Sequence, residues 1–115
     1  MPDSQDCVKE VREQGDAIVV ALGGEIDLHR TPAVHKALVA ACDRKPARLV
    51  INLDAVAYMD SSGIGTLVEV FRRVNAYRGK LALCNINQRV HSVFEITRLD
   101  QFFEIYDTEA EALAG

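Results

Sequence analysis

The sequence has 115 residues, 49% of them apolar, and a formal net charge of −4. A chain of this length and apolar content can bury a core without structural metals or disulfides. Its 13 Lys and Arg residues are interspersed with 17 Asp and Glu residues and form no basic stripe, which argues against direct nucleic-acid binding. The longest apolar runs are too short to span a bilayer, and we expect a single domain over residues 1–115.

The first part of the chain predicts an antiparallel hairpin. Residues 1–6 are polar, and we expect them to be disordered. A mixed strand over 7–13 is followed by a turn at 14–16, which contains a glycine. The run over 17–22 is apolar at odd and even positions alike, which is typical of a strand covered on both faces. Because the connection is so short, the two strands must be antiparallel.

A helix is predicted next, between a glycine pair and a proline. The glycines at 23–24 interrupt the apolar run, so that 25–28 is expected to form a loop. Thr31 followed by Pro32 is typical of a helix start, with the Thr31 hydroxyl as the N-cap. Apolar residues then recur at helical spacing, and Pro46 ends the helix because the residue before a proline is disfavoured in the α region.

A second βα unit surrounds the most polar turn of the chain. The run over 48–53 predicts a buried strand, and the turn at 60–63 separates it from a helix that begins at Ser62. Gly79 is predicted to stop this helix, and 80–84 predicts a third buried strand. The apolar stripe of the helix comprises Ile64, Leu67, Val68, Phe71 and Val74.

The C-terminal part predicts two further helices and a short strand. Asn87 is the expected N-cap of the first helix, and a short strand is expected over 103–106. Thr108 and Glu111 form a capping box for the last helix. The element order predicts an α/β fold with a four- to five-stranded mixed sheet, in which an N-terminal antiparallel hairpin precedes parallel strands and about four helices pack on the sheet.

The cysteines and the N-terminus predict a compartment. The three cysteines, Cys7, Cys42 and Cys84, are far apart and show neither a CxxC pair nor zinc-ligand spacing. Cys42 and Cys84 occupy apolar positions, and we expect them to be buried thiols. The N-terminus has no basic start and no apolar segment, so that no secretory signal is predicted and a reducing cytoplasm is the expected setting.

The turn Asp60-Ser61-Ser62-Gly63 offers more oxygen atoms than a helix cap needs. One side chain suffices to cap the helix, whereas three are present, and Gly63 and Gly65 keep bulk away from the hydroxyls. A serine at a helix N-terminus faces free backbone N–H groups and the positive end of the dipole, so that a phosphate is tolerated there. The pattern therefore favours a modification site, while a plain strand-to-helix turn stays open.

Enzymatic interpretations are weaker. The turn lacks the first glycine of a nucleophile elbow, there is no Walker loop, and Gly63-Ile64-Gly65 is only a fragment of a dinucleotide-binding motif. The three histidines, His29, His35 and His91, are scattered along the sequence. We therefore predict no catalytic residue, no metal site and no cofactor.

Three segments carry a resemblance to a known family. These are GGEID over Gly23–Asp27, LVINLDAVAYMDSSGIGTLVEVFRRV over Leu49–Val74, and GKLALCNI over Gly79–Ile86. Together they resemble the STAS domain, and most of all the stand-alone bacterial anti-anti-sigma factors, also called anti-sigma factor antagonists. The likeness extends over about residues 7–113, and the family fold agrees with the element order predicted above.

The resemblance implies a partner-switching regulator and not an enzyme. In such proteins the unphosphorylated form binds an anti-sigma factor, a serine kinase of the GHKL type, and thereby releases a sigma factor. Phosphorylation of the serine after the aspartate, here Ser61, ends the binding, and a PP2C-type phosphatase restores it; Ser62 is the alternative acceptor. The partner-binding residues implied by the resemblance are Asp27, Asp60, Ser61, Ser62, Gly63 and Ile64.

Other functions stay open at this point. The chain is also consistent with a STAS subunit of a lipid-transport ABC system, or with another STAS signalling module without a phosphoswitch. A receiver domain with Asp60 as phosphoacceptor is less consistent, because the acidic cluster and the downstream lysine of receivers are missing. The sequence is compatible with a monomer and with a weak dimer.

Overall fold

The computed structural model describes residues 7–115, so that the predicted disorder of residues 1–6 lies outside the described residues. A short 3-10 turn at Leu99–Gln101 precedes the last strand. In chain order the elements are β1 (Val8–Gln14), β2 (Ala17–Ile26), α1 (Thr31–Asp43), β3 (Arg48–Met59), α2 (Ser61–Ala76), β4 (Lys80–Cys84), α3 (Gln88–Ile96), β5 (Glu104–Tyr106) and α4 (Glu109–Ala114).

The strands form one mixed sheet in the order β1-β2-β3-β4-β5. β1 and β2 are antiparallel, and the pairs β2–β3, β3–β4 and β4–β5 are parallel. The predicted fold class is therefore confirmed, with five strands. The hairpin turn consists of Gly15 and Asp16, and Gly15 has a φ of 65°, a left-handed conformation that a glycine adopts at little cost.

Helices cover both faces of the sheet unequally. On one face α1, α2 and α3 pack over the larger core, which includes Val34, Val70 and Phe94. On the other face α4 is the one helix of residues 7–115 that packs, and Ala112 lies against a small set of strand residues that includes Cys84. The predicted burial of Cys42 and Cys84 is confirmed, and burial raises the pKa of the Cys84 thiol to about 11.

The predicted ends of β2 and β3 were wrong, because both strands continue farther than their apolar runs. β2 passes through its glycine pair and ends at Ile26. Gly24 has a φ of 78°, and the register with β3 shifts on either side of Gly23 and Gly24, as in a β-bulge. The glycines therefore bend the strand without ending it, and β3 extends beside it as far as Met59.

Two helix boundaries also differ from the prediction. Thr31 is not the N-cap of α1; it is the first helical residue after Arg30, which makes no side-chain cap. α2 begins at Ser61, one residue earlier than predicted, and Asp60 is its N-cap. The start of α1 follows from hydrogen bonds of Arg30 and Thr31 to the Asp27 carbonyl within the loop. The start of α2 follows from the hydrogen bond of Asp60 to Ile26 at the end of the neighbouring strand, which the local sequence does not reveal.

The C-terminal end of α2 uses a different residue from the one predicted. Arg78, with a φ of 67°, takes the left-handed position that commonly ends a helix. Gly79 donates its N–H to the carbonyl of Val74. A Cβ at Gly79 would lie 2.5 Å from Cε1 of Tyr77, so that close packing requires the glycine here. β4 itself has the predicted bounds.

Asn87 and Thr108 cap α3 and α4 as predicted. The Asn87 carboxamide accepts a hydrogen bond from the N–H of Val90 at 2.9 Å and donates one to the carbonyl of Val56 at 2.8 Å. Thr108 accepts from the N–H of Glu111 at 3.2 Å. Asn87 therefore fastens α3 to the late part of β3, whereas Thr108 acts within its own helix.

Replacing Asn87 should separate these two contributions. We expect Asn87→Ala to lower the free energy of unfolding by about 1–2 kcal/mol, because the cap and the bond to β3 are both lost. Asn87→Asp keeps the capping oxygen and should lose less, and Thr108→Ala serves as the control for a cap alone. Urea unfolding at neutral pH measures all three; equal losses for Asn87→Ala and Asn87→Asp would contradict the structural role of the cap.

Candidate functional site

The site lies where the carboxyl ends of β2 and β3 meet. Their last residues, Ile26 and Met59, are partners in the parallel register. The N–H of Asp60 continues this pairing with a 3.1 Å hydrogen bond to the carbonyl of Ile26. As a result, the loop between β2 and α1 lies beside the first turn of α2.

The Asp60 carboxylate binds the first turn of α2. Its Oδ1 accepts hydrogen bonds from the Ser62 hydroxyl at 2.5 Å and from the N–H groups of Ser62 and Gly63 at 2.9 and 3.3 Å. The pKa of the Asp60 carboxyl is lowered, first by the Ser62 hydroxyl and then, against partial burial, by the N–H groups of Gly63, Ser62 and Leu28. Since Leu28 belongs to the other loop, the same carboxylate interacts with both segments.

A pair of hydroxyls also bridges the two segments. Thr31 Oγ1 lies 2.9 Å from Ser62 Oγ and 2.6 Å from the carbonyl oxygen of Asp27. Because the Ser62 proton is donated to Asp60, only the single Thr31 proton remains for these two contacts. The sequence gave no indication of this bridge; Thr31 stood out only as a supposed N-cap, and its partner is 31 residues away.

Asp27 is held within its own loop. Its Oδ1 accepts hydrogen bonds from the N–H groups of His29 and Arg30, both at 3.1 Å. Its Oδ2 forms a 2.5 Å ion pair with the Arg30 guanidinium. Through its carbonyl contact with Thr31, the Asp27 loop lies next to Ser62. A direct role for the Asp27 carboxylate in partner binding stays a prediction, and Arg30 is a neighbour that the sequence did not single out.

Ser61 differs from the residues on either side. It is exposed, whereas Asp60 and Ser62 are half-buried. No hydrogen bond joins its hydroxyl to any residue that the structure describes. As the first residue of α2, it lies at the positive end of the helix dipole. Of the three polar side chains in the turn, only that of Ser61 contributes nothing to the cap.

Gly63 and Ile64, the remaining predicted partner-binding residues, face inward. Gly63 is buried, and a Cβ there would lie 2.5 Å from Met59 Cγ and 3.0 Å from Ile26 Cγ2. Glycine is therefore required because the helix approaches both strand ends closely, not because of an unusual backbone angle. Ile64 is only 7% exposed and packs in the larger core. Gly65 is exposed and has open space around it.

Other kinds of site find no support in residues 7–115. Over that range no group of His, Cys, Asp and Glu side chains could hold a metal ion. His35 and His91 each pair with a nearby glutamate, Glu69 and Glu95 respectively. None of the helices in the same range is long and apolar enough to cross a membrane.

The depressed pKa of Asp60 predicts a pH dependence of stability. A carboxyl whose pKa is lower in the folded state stabilises the fold above its unfolded pKa, and this contribution is lost as the pH falls through the folded value. Asp60→Asn, which keeps a capping oxygen, should therefore be less stable than the wild type by about 1 kcal/mol at pH 7. The difference should shrink as the pH falls below about 4. Urea unfolding from pH 7 to pH 3 measures it; a difference independent of pH would contradict the assignment.

Comparisons with known proteins agree with this architecture. The STAS domain family model matches residues 8–112. The chain is 35% identical over 103 residues to the anti-sigma-B factor antagonist of Listeria monocytogenes, covering 89% of this chain and 90% of that protein.

Solved structures give the same result. An anti-sigma factor antagonist from Mycobacterium paratuberculosis superposes with a TM-score of 0.88 and 26% identity, over 99% of this chain and 97% of that one. The anti-sigma factor antagonist SpoIIAA in its unphosphorylated form gives a TM-score of 0.77 with 25% identity, over 90% and 91% of the two chains. With the family model covering nearly all of the described residues, this chain belongs to the STAS domain family.

Proposed function

We propose that this protein is an anti-sigma factor antagonist that acts in the cytoplasm. In its unphosphorylated form it binds an anti-sigma serine kinase of the GHKL type through the surface around the 60–62 turn, and so releases a sigma factor. Phosphorylation of Ser61 switches the binding off, and a PP2C-type phosphatase reverses it. The observation that carries this proposal is the exposed Ser61 hydroxyl, which takes no part in the hydrogen bonds of the turn.

The relatives support the first part of the proposal. The Listeria protein is an anti-sigma-B factor antagonist, and this chain covers nine-tenths of it. The name of the SpoIIAA structure specifies an unphosphorylated form, which indicates that this protein also occurs in a phosphorylated form. Neither comparison identifies a modified residue in this chain, and the choice of serine therefore rests on geometry.

The geometry favours Ser61 over Ser62 as the acceptor. The Ser62 oxygen lies 2.5 Å from the Asp60 carboxylate and 2.9 Å from Thr31. A phosphate on Ser62 would displace both contacts and bring about −1.5 to −2 charges against an existing carboxylate. Ser61 lies outside these contacts and points to solvent. A kinase can therefore reach its hydroxyl without breaking the hydrogen bonds of the cap.

The same geometry explains how a phosphate would act on a partner and not on the fold. At the N-terminus of α2 a dianion is stabilised by the helix dipole. At the protein surface the phosphate adds its negative charge to those of the Asp60 carboxylate and the Arg30-paired Asp27 carboxylate. A partner surface that fits the neutral hydroxyl would have to desolvate this charge, which weakens binding.

Phosphorylation should occur on one residue. We expect incubation with the GHKL-type anti-sigma kinase of the same genome and Mg-ATP to add a single acid-stable phosphate, and peptide mass spectrometry to place it on Ser61. Ser61→Ala should abolish the labelling, and Ser62→Ala, the matched control, should retain it. Labelling of Ser61→Ala at Ser62 would contradict the choice of acceptor. An acid-labile phosphate on Asp60 would contradict the proposed class of protein.

Binding should respond to charge at this position only. We expect Ser61→Ala to bind the kinase within about threefold of the wild type and to stay bound when ATP is added. Ser61→Asp and the phosphorylated wild type should bind at least about tenfold more weakly, a change that corresponds to roughly 1.4 kcal/mol. Calorimetry or biolayer interferometry measures these affinities.

Gln14→Glu provides the control for charge. Gln14 is exposed and pairs with Ala17 at the start of β2, so that the substitution adds a carboxylate at the opposite end of that strand from the site. Its affinity should equal that of the wild type. Equal affinities for Ser61→Asp and the wild type would contradict the proposal, as would capture of a membrane-transporter ATPase in place of the kinase.

A further inference from the structure

A narrow apolar cleft lies beside the middle of α2, about two helical turns after Ser61. The 3-10 turn and the residues that follow it approach this part of the helix, and the cleft between them has a volume of about 250 Å³. Its surface is almost entirely apolar, as in sites that bind small apolar groups. The lining residues are Val68, Phe71, Arg72, Leu99, Phe102 and Phe103.

Aromatic packing holds the inner wall of the cleft in place. Phe103 is 6% exposed and stacks on Phe94, with ring centroids 5.8 Å apart and 21° between the ring planes. Phe71 contacts the same Phe103 ring edge-on, at a centroid distance of 5.3 Å. Such aromatic pairs add to the stabilisation that burial itself provides. The inner wall is therefore part of the folded core.

The outer wall is a large apolar side chain that is exposed to solvent. Phe102 is 61% exposed, although it lines the cleft. Leu99, in the 3-10 turn, is half-buried and packs against the larger core. Because covering apolar surface is favourable, a group inserted between α2 and the Phe102 ring would gain affinity from both walls.

One charged side chain borders this apolar surface. Arg72 follows Val68 by four residues and so lies on the same face of α2, and it is exposed. No hydrogen bond or ion pair joins its guanidinium to another residue within 7–115. The neighbouring Arg73 differs, since it is bound to Glu69 at 2.9 and 3.0 Å. The cleft thus combines an apolar interior with a cation that has no partner in the described part of the chain.

The lining favours an acyl chain over a peptide segment. A peptide that enters the cleft brings backbone N–H and C=O groups, and an apolar surface leaves them without hydrogen-bond partners, which is costly. An acyl chain has no such groups. A methylene group takes up about as much space as a water molecule, roughly 30 Å³. The volume of the cleft therefore corresponds to about eight carbon atoms.

We propose that this cleft binds a medium-chain fatty acid, with an acyl chain of about eight carbons between α2 and Phe102 and the carboxylate on Arg72. A guanidinium binds a carboxylate through two parallel hydrogen bonds, and the two charges are complementary. The expected dissociation constant is about 0.1–1 mM, which agrees with the binding free energy per atom of small ligands. The site is independent of the proposed function, because neither Ser61 nor its neighbours line it.

Octanoate tests the charge and the place of binding. Titration of isotope-labelled protein with up to about 10 mM sodium octanoate, followed by amide NMR, should shift the signals of residues 68–72 and 99–103 and reach saturation. Arg72→Gln should weaken binding at least about fivefold, and Arg73→Gln, the matched control, should bind like the wild type. Octan-1-ol has the same chain without the charge, and it should bind the wild type at least about fivefold more weakly than octanoate does.

The outer wall provides a second test. Phe102→Ala removes the exposed ring and should weaken octanoate binding at least about threefold, because less apolar surface is then covered. The control is Ile96→Ala, which truncates another exposed apolar side chain that does not line the cleft. Its affinity for octanoate should equal that of the wild type. Since both side chains are exposed, neither change opens the core.

Each outcome decides the proposal. Saturable shifts at the cleft that depend on Arg72 and Phe102 support it. It is overturned by the absence of saturable shifts up to about 10 mM, or by shifts confined to another part of the molecule. Equal affinities for octanoate and octan-1-ol would overturn it in favour of an uncharged occupant, such as an apolar side chain of a partner protein. Dimerisation that octanoate reverses, measured by sedimentation, would overturn it in favour of a second copy of the chain.

Discussion

The parallel pairing of β2 with β3, continued to their last residues, is the constraint on which the candidate site depends. It places Ile26 beside Met59, and the next N–H, that of Asp60, closes the pairing on the Ile26 carbonyl. Two loops that are far apart in sequence are thereby brought together at one edge of the sheet. A shift by a single residue would turn alternate side chains to the opposite face and would remove Asp60 from its position as the cap.

The glycine pair of β2 makes this register possible. With Gly24 in the left-handed region, β2 takes up a bulge and still reaches Ile26. Gly23 leaves room for its neighbours: a Cβ there would lie 2.8 Å from Lys9 Cε and 3.0 Å from Ala55 Cβ. Glycine is usually interpreted as a sign that a strand ends, and here it is what allows the strand to continue to the site.

Much of the fold could be predicted from local patterns, and the errors share one physical cause. The bounds of β4, the caps Asn87 and Thr108, and the order of elements follow from composition and spacing within a few residues. The ends of β2 and β3 and the first residue of α2 do not, because hydrogen bonds between strand ends set them. For the same reason the polar turn was recognisable as a site, while the Thr31–Ser62 bridge, which joins residues 31 positions apart, was not.

The three polar residues of the turn have different structural roles. Asp60 caps α2 and interacts with the neighbouring loop, and Ser62 donates to that carboxylate and contacts Thr31. Both are thus committed to the fold, and either would lose hydrogen bonds on modification. Ser61 takes part in none of these contacts and is exposed. This answers why the turn offers more oxygens than a cap requires: two side chains hold the strand end, the helix and the loop together, and the third lies outside their hydrogen bonds, so that the proposed phosphate on Ser61 would not break them.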